Sequence, residues 1–263
     1  MDNNYWHKQT IEKPIFPDLM WSRPEHKNQA GKLLIVGGNA HGFAAAAEAY
    51  AESIKASIGS SRVILPSVLQ KTVGRVFEAG EYAPSTPSGS FSRMALSDVL
   101  DGGVWADGML LAGDFGRNSE TAILLEEIAS KYKGQLTLTK DALDYFTKSP
   151  ISLLDRGNTL LVVSFAQLQK IAVSSLSKSA FTFEMDFIRL VDSLHEFTKI
   201  HKATIIIKHL QTLFVAYNGQ VSTTKLIEDL PVWRVKTAAH ASVWWLQNPS
   251  KTFESITSSL IKS

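Results

Sequence analysis

The first residues shaped for chemistry lie at 32–58, KLLIVGGNAHGFAAAAEAYAESIKASI. The apolar run 32–36 reads as a buried strand. Gly37 and Gly38 break it, residues 39–42 turn, and the Ala-rich stretch 43–58 reads as a helix. Strand, glycine turn and helix aim backbone N–H groups and a helix N-terminus at one point, which suits a phosphate or another anion. Gly37, Gly38 and Asn39 are therefore candidate ligand-binding residues in the principal cleft, at the C-terminal edge of the strand. The alternative is a tight βα turn that binds nothing. Two well-known phosphate loops are absent. Gly37-Gly38-Asn39-Ala40-His41-Gly42 does not give G-x-G-x-x-G, and Phe43-Ala44 stand where a P-loop needs Lys and a hydroxyl.

A second glycine turn, Gly113-Asp114-Phe115-Gly116, follows an apolar strand and precedes a helix. It reads either as another backbone cradle for an anion, with Arg117 adding charge, or as a plain turn whose Asp114 caps the following helix. Lys208 ends a strand at the edge where open α/β sheets bind ligands, unless it is a surface lysine with its stem laid along the protein. Asp141 and Asp144 fall on a short helix after a strand, Asp144 reading as a solvated acid. The 7 histidines show no metal-type spacing with acids and no H-E-x-x-H, so no metal site is expected from them. No G-x-S-x-G elbow marks a serine hydrolase.

The elements that would position these residues alternate. Strands are expected at 61–65, 109–112, 135–138, 159–163 and 203–207. Helices are expected at 67–79, 95–100, 119–131, 140–145, 165–173, 183–199, 237–246 and 252–261. Residues 80–92, rich in Gly, Pro and Ser, read as a loop. Asn218-Gly219 between 213–217 and 220–224 is a strong hairpin signal. The pattern predicts an α/β fold: a mostly parallel central sheet, helices on both faces and a late hairpin at one edge. Residues 1–24 read as an N-terminal arm with aromatic anchors, and 25–263 as a single α/β domain. The arm's apolar side chains lead us to expect a homo-oligomer.

With 263 residues and 44% hydrophobic content, the chain is large enough for a sizeable core. A net charge of +2 argues against a nucleic-acid partner or an acidic membrane surface. The absence of cysteine excludes disulfides and thiolate chemistry, and it fits a cytoplasmic location. No signal peptide is expected from the polar opening MDNNYWHKQTIEK, and no apolar stretch has membrane-spanning length.

In order and spacing the segments resemble the ribokinase-like family of ADP- or ATP-dependent NAD(P)H-hydrate dehydratases, over about residues 23–262. Lys27 with Gly31 and LLIVGGN at 33–39 match the opening. AGDFGRN at 112–118 matches the second glycine turn, and Thr139-Lys140-Asp141-Ala142-Leu143 the back half of an Asp-Ala-Asp-Ala-Leu segment. IIIKH at 205–209 keeps the lysine of a Lys-Gly strand end. The resemblance implies ADP or ATP with Mg2+ as cofactors and an NAD(P)H hydrate as substrate. The partners it implies are a small-molecule nucleotide and a dinucleotide. It points to Gly37, Gly38, Asn39, Gly113, Asp114, Gly116, Lys208, His209, Ala238 and Ala239 as binding positions.

The sequence departs from the family at the chemical centre. Gln167 stands for a glutamate, and the neighbouring histidine is missing. His209 replaces the glycine after Lys208. Where the family has Gly-Thr-Gly-Asp at a helix start, this chain reads Lys236-Thr237-Ala238-Ala239-His240-Ala241. No aspartate follows Asp229. In the family the glycines stabilise developing phosphate charge, and the aspartate is the base for the hydrate hydroxyl. The family aspartate being absent, His240 is the candidate replacement base. Two functions follow from the resemblance: a nucleotide-dependent hydrate dehydratase of weak or lost activity, or a nucleotide- or partner-binding pseudoenzyme of the same fold. A small-alcohol kinase needs the same absent aspartate.

Overall fold

The computed structural model describes residues 4–226 and 233–261. In chain order the elements are β1 (Trp6–Gln9), α1 (Pro17–Trp21), β2 (Lys32–Gly37), α2 (Ala44–Lys55), β3 (Ser60–Pro66), α3 (Gln70–Val73), β4 (Gly80–Ala83), α4 (Leu96–Trp105) and β5 (Gly108–Gly113). Then come α5 (Ser119–Lys131), β6 (Gln135–Thr139), α6 (Ile151–Leu154), β7 (Thr159–Val163), α7 (Phe165–Ser174) and α8 (Phe187–Ile200). The chain closes with β8 (Thr204–His209), β9 (Thr212–Tyr217), β10 (Gln220–Lys225), α9 (Arg234–Gln247) and α10 (Thr252–Ser259).

All strands among the described residues join one 10-stranded sheet in the order β1-β10-β9-β8-β7-β6-β5-β2-β3-β4. Neighbours from β4 to β8 run parallel; β9 runs against both β8 and β10. Alternation of side chains across the strands feeds two cores. Leu34, Val36, Met109 and Leu111 pack under α4, α5, α7 and α8. Leu33, Ile35, Leu110 and Ala112 pack under α2, α9 and α10. This is the expected α/β architecture, with one element added at each edge.

Several elements differ from the sequence reading: the expected helix at 140–145 is two 3-10 turns, Lys140–Ala142 and Asp144–Phe146, and α1 and α6 carry no sequence expectation. Trp6–Gln9 lies in the expected arm, yet it forms strand β1, parallel to β10 and outside the hairpin. Its anchors pack within the chain: Trp6 against Phe187 and Phe16 against Phe253. Gly80–Ala83, expected in a loop, is an edge strand held by β3. The expected helix at 67–79 shrinks to a 3-10 turn at Ser67–Leu69 and α3, which ends at Gly74. Among the described residues no helix is long and apolar enough to cross a membrane.

Candidate functional site

The strand ends of β2, β5 and β6 meet at one edge of the sheet and bring both glycine turns together. Gly37 lies so close to β5 that a Cβ on it would sit 2.6 Å from the Gly113 carbonyl oxygen, which explains glycine there. Gly38, at φ +101, donates its N–H to that same oxygen at 3.0 Å. The Asn39 N–H goes to the Gly42 carbonyl at 2.9 Å and the Ala40 N–H to the Gly89 carbonyl at 2.8 Å. The His41 N–H goes to the Asn39 side chain at 2.7 Å, and the Gly42 N–H to the Asn39 carbonyl at 3.0 Å. Every N–H from Gly38 to Gly42 is thus spent inside the protein.

The N-terminus of α2, where an anion was expected, holds a carboxylate of this chain. Asp114 Oδ2 accepts from the Ala45 N–H at 2.7 Å, and Asp114 Oδ1 accepts from Lys140 Nζ at 2.6 Å. Asp114 and Lys140 both sit in the left-handed region, at φ 61 and φ 53. The Asp114 carbonyl also accepts from Asn39 Nδ2 at 2.6 Å. Asp114 therefore caps a helix, as its residue type permits, but the helix is α2. The following helix, α5, is capped by Asn118, whose side chain accepts from the Glu120 N–H at 2.8 Å. Gly37, Gly38 and Asn39 consequently offer no free N–H cradle. Residue 113 must be glycine, since its φ is +113 and a Cβ would come 2.8 Å from the Lys140 Cβ.

Beside this packed turn lies a cavity of about 570 Å3, lined by Gly116, Arg117, Asn118, Asp141, Asp144 and Tyr145 among others. Gly116 is brought here by its N–H bond to Asp141 Oδ2 at 3.1 Å and by its carbonyl, which accepts from the Tyr145 hydroxyl at 2.6 Å. Burial raises the Asp141 carboxyl above its usual range, against the Gly116 N–H, which lowers it. Burial also raises the Tyr145 phenol. Asp144 is exposed but not simply solvated: it accepts from Gln167 Nε2 at 2.7 Å. Gln167 also donates to the Lys140 carbonyl at 2.7 Å, and its Oε1 accepts from Arg234 Nη1 at 3.2 Å. Its oxygen further closes a capping box with Ser164 at the start of α7. Burial lowers the Arg234 guanidinium, opposed by the charges of Asp144 and Asp141. The sequence reading missed Arg234 and Tyr145. A cation in the first turn of a helix works against the helix dipole, and that was the available signal for Arg234.

The remaining expected site residues lie elsewhere. Lys208 and His209 end β8, and the His209 ring packs 5.4 Å from the Phe165 ring. Neither lines the cavity. Helix α9 begins at Arg234, three residues before the expected start, so Ala238 and Ala239 fall in its second turn and are fully buried. Their N–H groups belong to the helical ladder and cannot cradle phosphate. His240 lies about 9 Å along the axis from the start of α9, at 1.5 Å per residue. Its Nε2 meets Glu52 Oε2 of α2 at 3.0 Å, and the ring is 4% exposed. His240 therefore faces a helix interface rather than the cleft, which corrects its reading as a replacement base. Asp229 lies outside the described residues. Among those described, no cluster of three or more acids and histidines could hold a metal.

Burial holds the His240 imidazole below its usual 6.5, against the pull of Glu52. Burial alone would raise Glu52, but hydrogen bonds from Lys55 and His240 outweigh it and leave the carboxyl lowered. The unfolded chain thus takes up a proton near 6.5 that the folded chain still refuses. Stability should fall as pH drops through that value and level off below the folded histidine's own pKa. A second loss accrues as pH falls from the ordinary carboxyl range toward the lowered Glu52 value, and it levels off once folded Glu52 protonates. The slope from one histidine cannot exceed about 1.4 kcal/mol per pH unit. Urea unfolding at a series of pH values should show a shallower slope near pH 6 in His240→Ala than in the parent. Equal slopes would show that His240 takes up its proton alike in both states.

No family model matches the chain, and no curated protein matches it. Solved structures do. A ribokinase-like superfamily protein from Enterococcus faecalis aligns at 12% identity with a TM-score of 0.74, over 99% of this chain and 87% of the other. The ADP/ATP-dependent NAD(P)H-hydrate dehydratase of Bacillus subtilis, co-crystallised with ATP/Mg2+, aligns at 10% identity with a TM-score of 0.61, over 94% and 86%. Phosphomethylpyrimidine kinase from Clostridium difficile aligns at 8% identity with a TM-score of 0.51, over 88% and 100%. The chain has the ribokinase-like fold, and at these identities the likeness is one of fold.

Proposed function

We propose that this protein binds a small phosphate-bearing ligand, a nucleotide or a nicotinamide dinucleotide, in the cavity beside Asp141, and that it does not transfer phosphate. The observation that carries the second half is the Asp114 carboxylate at the α2 N-terminus, tied to Ala45 and Lys140. The chain itself fills the anion position there. The second phosphate position is closed as well, because α9 runs unbroken through Ala238 and Ala239. The residues at 37–39 and 238–239 therefore do not fit a nucleotide in the dehydratase manner, and no phosphorylation step is derived through them.

Binding is supported by different residues. A cavity of about 570 Å3 falls in the range typical of small-molecule sites. Arg117 supplies positive charge for a phosphate. Asp141 and Asp144 supply acceptors for hydroxyl or amide groups, and Tyr145 an aromatic wall. The co-crystallised ATP of the Bacillus subtilis dehydratase and the resemblance of the motifs support a nucleotide as ligand class. The second reading, the hydrate dehydratase itself, would need the family's acid at the start of α9, where the first turn carries none.

Calorimetric titration of the purified chain with ATP, ADP and NADPH tests the binding. At least one should bind, and Arg117→Ala should weaken it by about tenfold, the equivalent of 1.4 kcal/mol. Failure of all three to bind, or an unchanged affinity in the variant, would overturn this assignment.

A further inference from the structure

A second cavity, of about 340 Å3, lies at the opposite edge of the sheet. The first residues of β7 and β8, the end of α8, the Asn218–Gly219 turn and the start of α10 enclose it. Among the described residues no acid lines it, whereas Lys199, His201 and Lys202 do. Lysines at the end of α8 complement that helix's dipole, which accounts for their presence but not for the cavity.

Two further observations point to a ligand. Thr204, the first residue of β8, lines the cavity and is 1% exposed, yet its Oγ1 has no hydrogen-bond partner. The neighbouring threonine hydroxyls are engaged: Thr198 with the Leu194 carbonyl at 2.9 Å, Thr159 with Arg156 at 2.9 Å, and Thr252 with the Trp245 indole at 3.1 Å. A lone buried hydroxyl is costly, and a bound acceptor relieves that cost. Lys202 is the second observation, since it makes no ion pair among the described residues. Lys199 pairs with Glu196 at 3.2 Å, and its stem crosses the turn so closely that a Cβ on Gly219 would lie 2.8 Å from its Cγ. Its ammonium is thus held at the rim. Trp245 and Tyr217 give the cavity flat walls.

We propose that this cavity is a second binding site, for a small organic anion with a planar or apolar body. Lys202 and Lys199 receive the anionic group, Thr204 donates its free hydroxyl, and Trp245 and Tyr217 flank the body. The site is separate from the cavity beside Asp141, so either can fail without the other.

The test is calorimetric titration of the full chain with inorganic phosphate, phenyl phosphate and benzoate. The two ring-bearing probes separate a phosphate from a carboxylate ligand, and whichever binds tighter names the class. Binding should be in the millimolar range or tighter, and stronger for a ring-bearing probe than for phosphate. Lys202→Ala, at an exposed position, and Thr204→Val, which keeps the side-chain shape, should each weaken it by about tenfold. Lys71→Ala, at an exposed position lining neither cavity, should leave it unchanged. No binding of any probe, affinity unchanged in both cavity variants, or an equal loss in Lys71→Ala would overturn the proposal.

Discussion

Replacing His240 with the aspartate that the hydrate dehydratase family would place there, His240→Asp, should destabilise the fold by about 3 to 5 kcal/mol and restore no activity. His240 and Glu52 are 4% and 7% exposed and hydrogen-bonded to each other at 3.0 Å. An aspartate in place of the imidazole sets a second carboxylate beside Glu52 in a site closed to water. Two buried carboxylates cannot both ionise, so one must take up a proton or the helices must part. Lys55, at 2.6 Å from Glu52 Oε1, can offset only part of the repulsion. The variant should be rescued by Glu52→Gln, which removes the second charge, and it should gain stability on mild acidification while the parent loses it. Urea unfolding of the two single variants and the double variant measures this directly. A variant as stable as the parent would mean that the α2–α9 interface admits water.

Asp114→Ala is the second large effect expected, a loss of about 2 kcal/mol. The lost cap on α2 accounts for about 1 kcal/mol. The Lys140 pair adds up to about 1 kcal/mol, limited because its side chains are 32% and 23% exposed and partly screened. An alanine at φ 61 lacks the local hydrogen bonding that lets aspartate occupy that region, which adds to the loss. Asp114→Asn keeps an acceptor for the Ala45 N–H and should lose about half as much. In Asp114→Ala the Ala45 N–H and the Lys140 ammonium are freed together. Inorganic phosphate should then raise the melting temperature of the variant more than that of the parent. A loss below about 0.5 kcal/mol would reduce Asp114 to an ordinary surface acid.

The contrast between these residues and the strands shows where sequence reading works. The central strands were legible because parallel strands buried on both faces are near-continuous apolar runs, as in LLIV at 33–36 and TIII at 204–207. β1 was not, because WHKQ carries no such run. It is held by polar contacts, Trp6 Nε1 to Thr223 and Gln9 Nε2 to Thr224, at 3.1 Å and 2.9 Å. β4 was hidden because its GEYA segment reads as a turn until β3 is beside it.

The candidate site was legible as a place but not as an arrangement. Asp114 is a capping residue by type, yet only the fold decides that it caps the helix 69 positions back. The Gly38 and Ala40 N–H groups are occupied by Gly113 and Gly89, far along the chain. His240 stood in the family's catalytic position in sequence, but α9 starts earlier than that alignment requires. Inside that helix its ring meets Glu52, 188 residues away.

The most direct measurement of the central claim is a coupled absorbance assay on the purified chain, with NAD(P)H hydrate as substrate, ATP or ADP as donor, and Mg2+. With Asp114 filling the anion position and no acid in the first turn of α9, the chain is expected to give no NAD(P)H above the uncatalysed rate. It should do so under conditions in which calorimetry detects ligand bound to it. Turnover at a rate typical of enzymes, about 1 s-1 or more, would contradict the account, above all if it survived in His240→Ala.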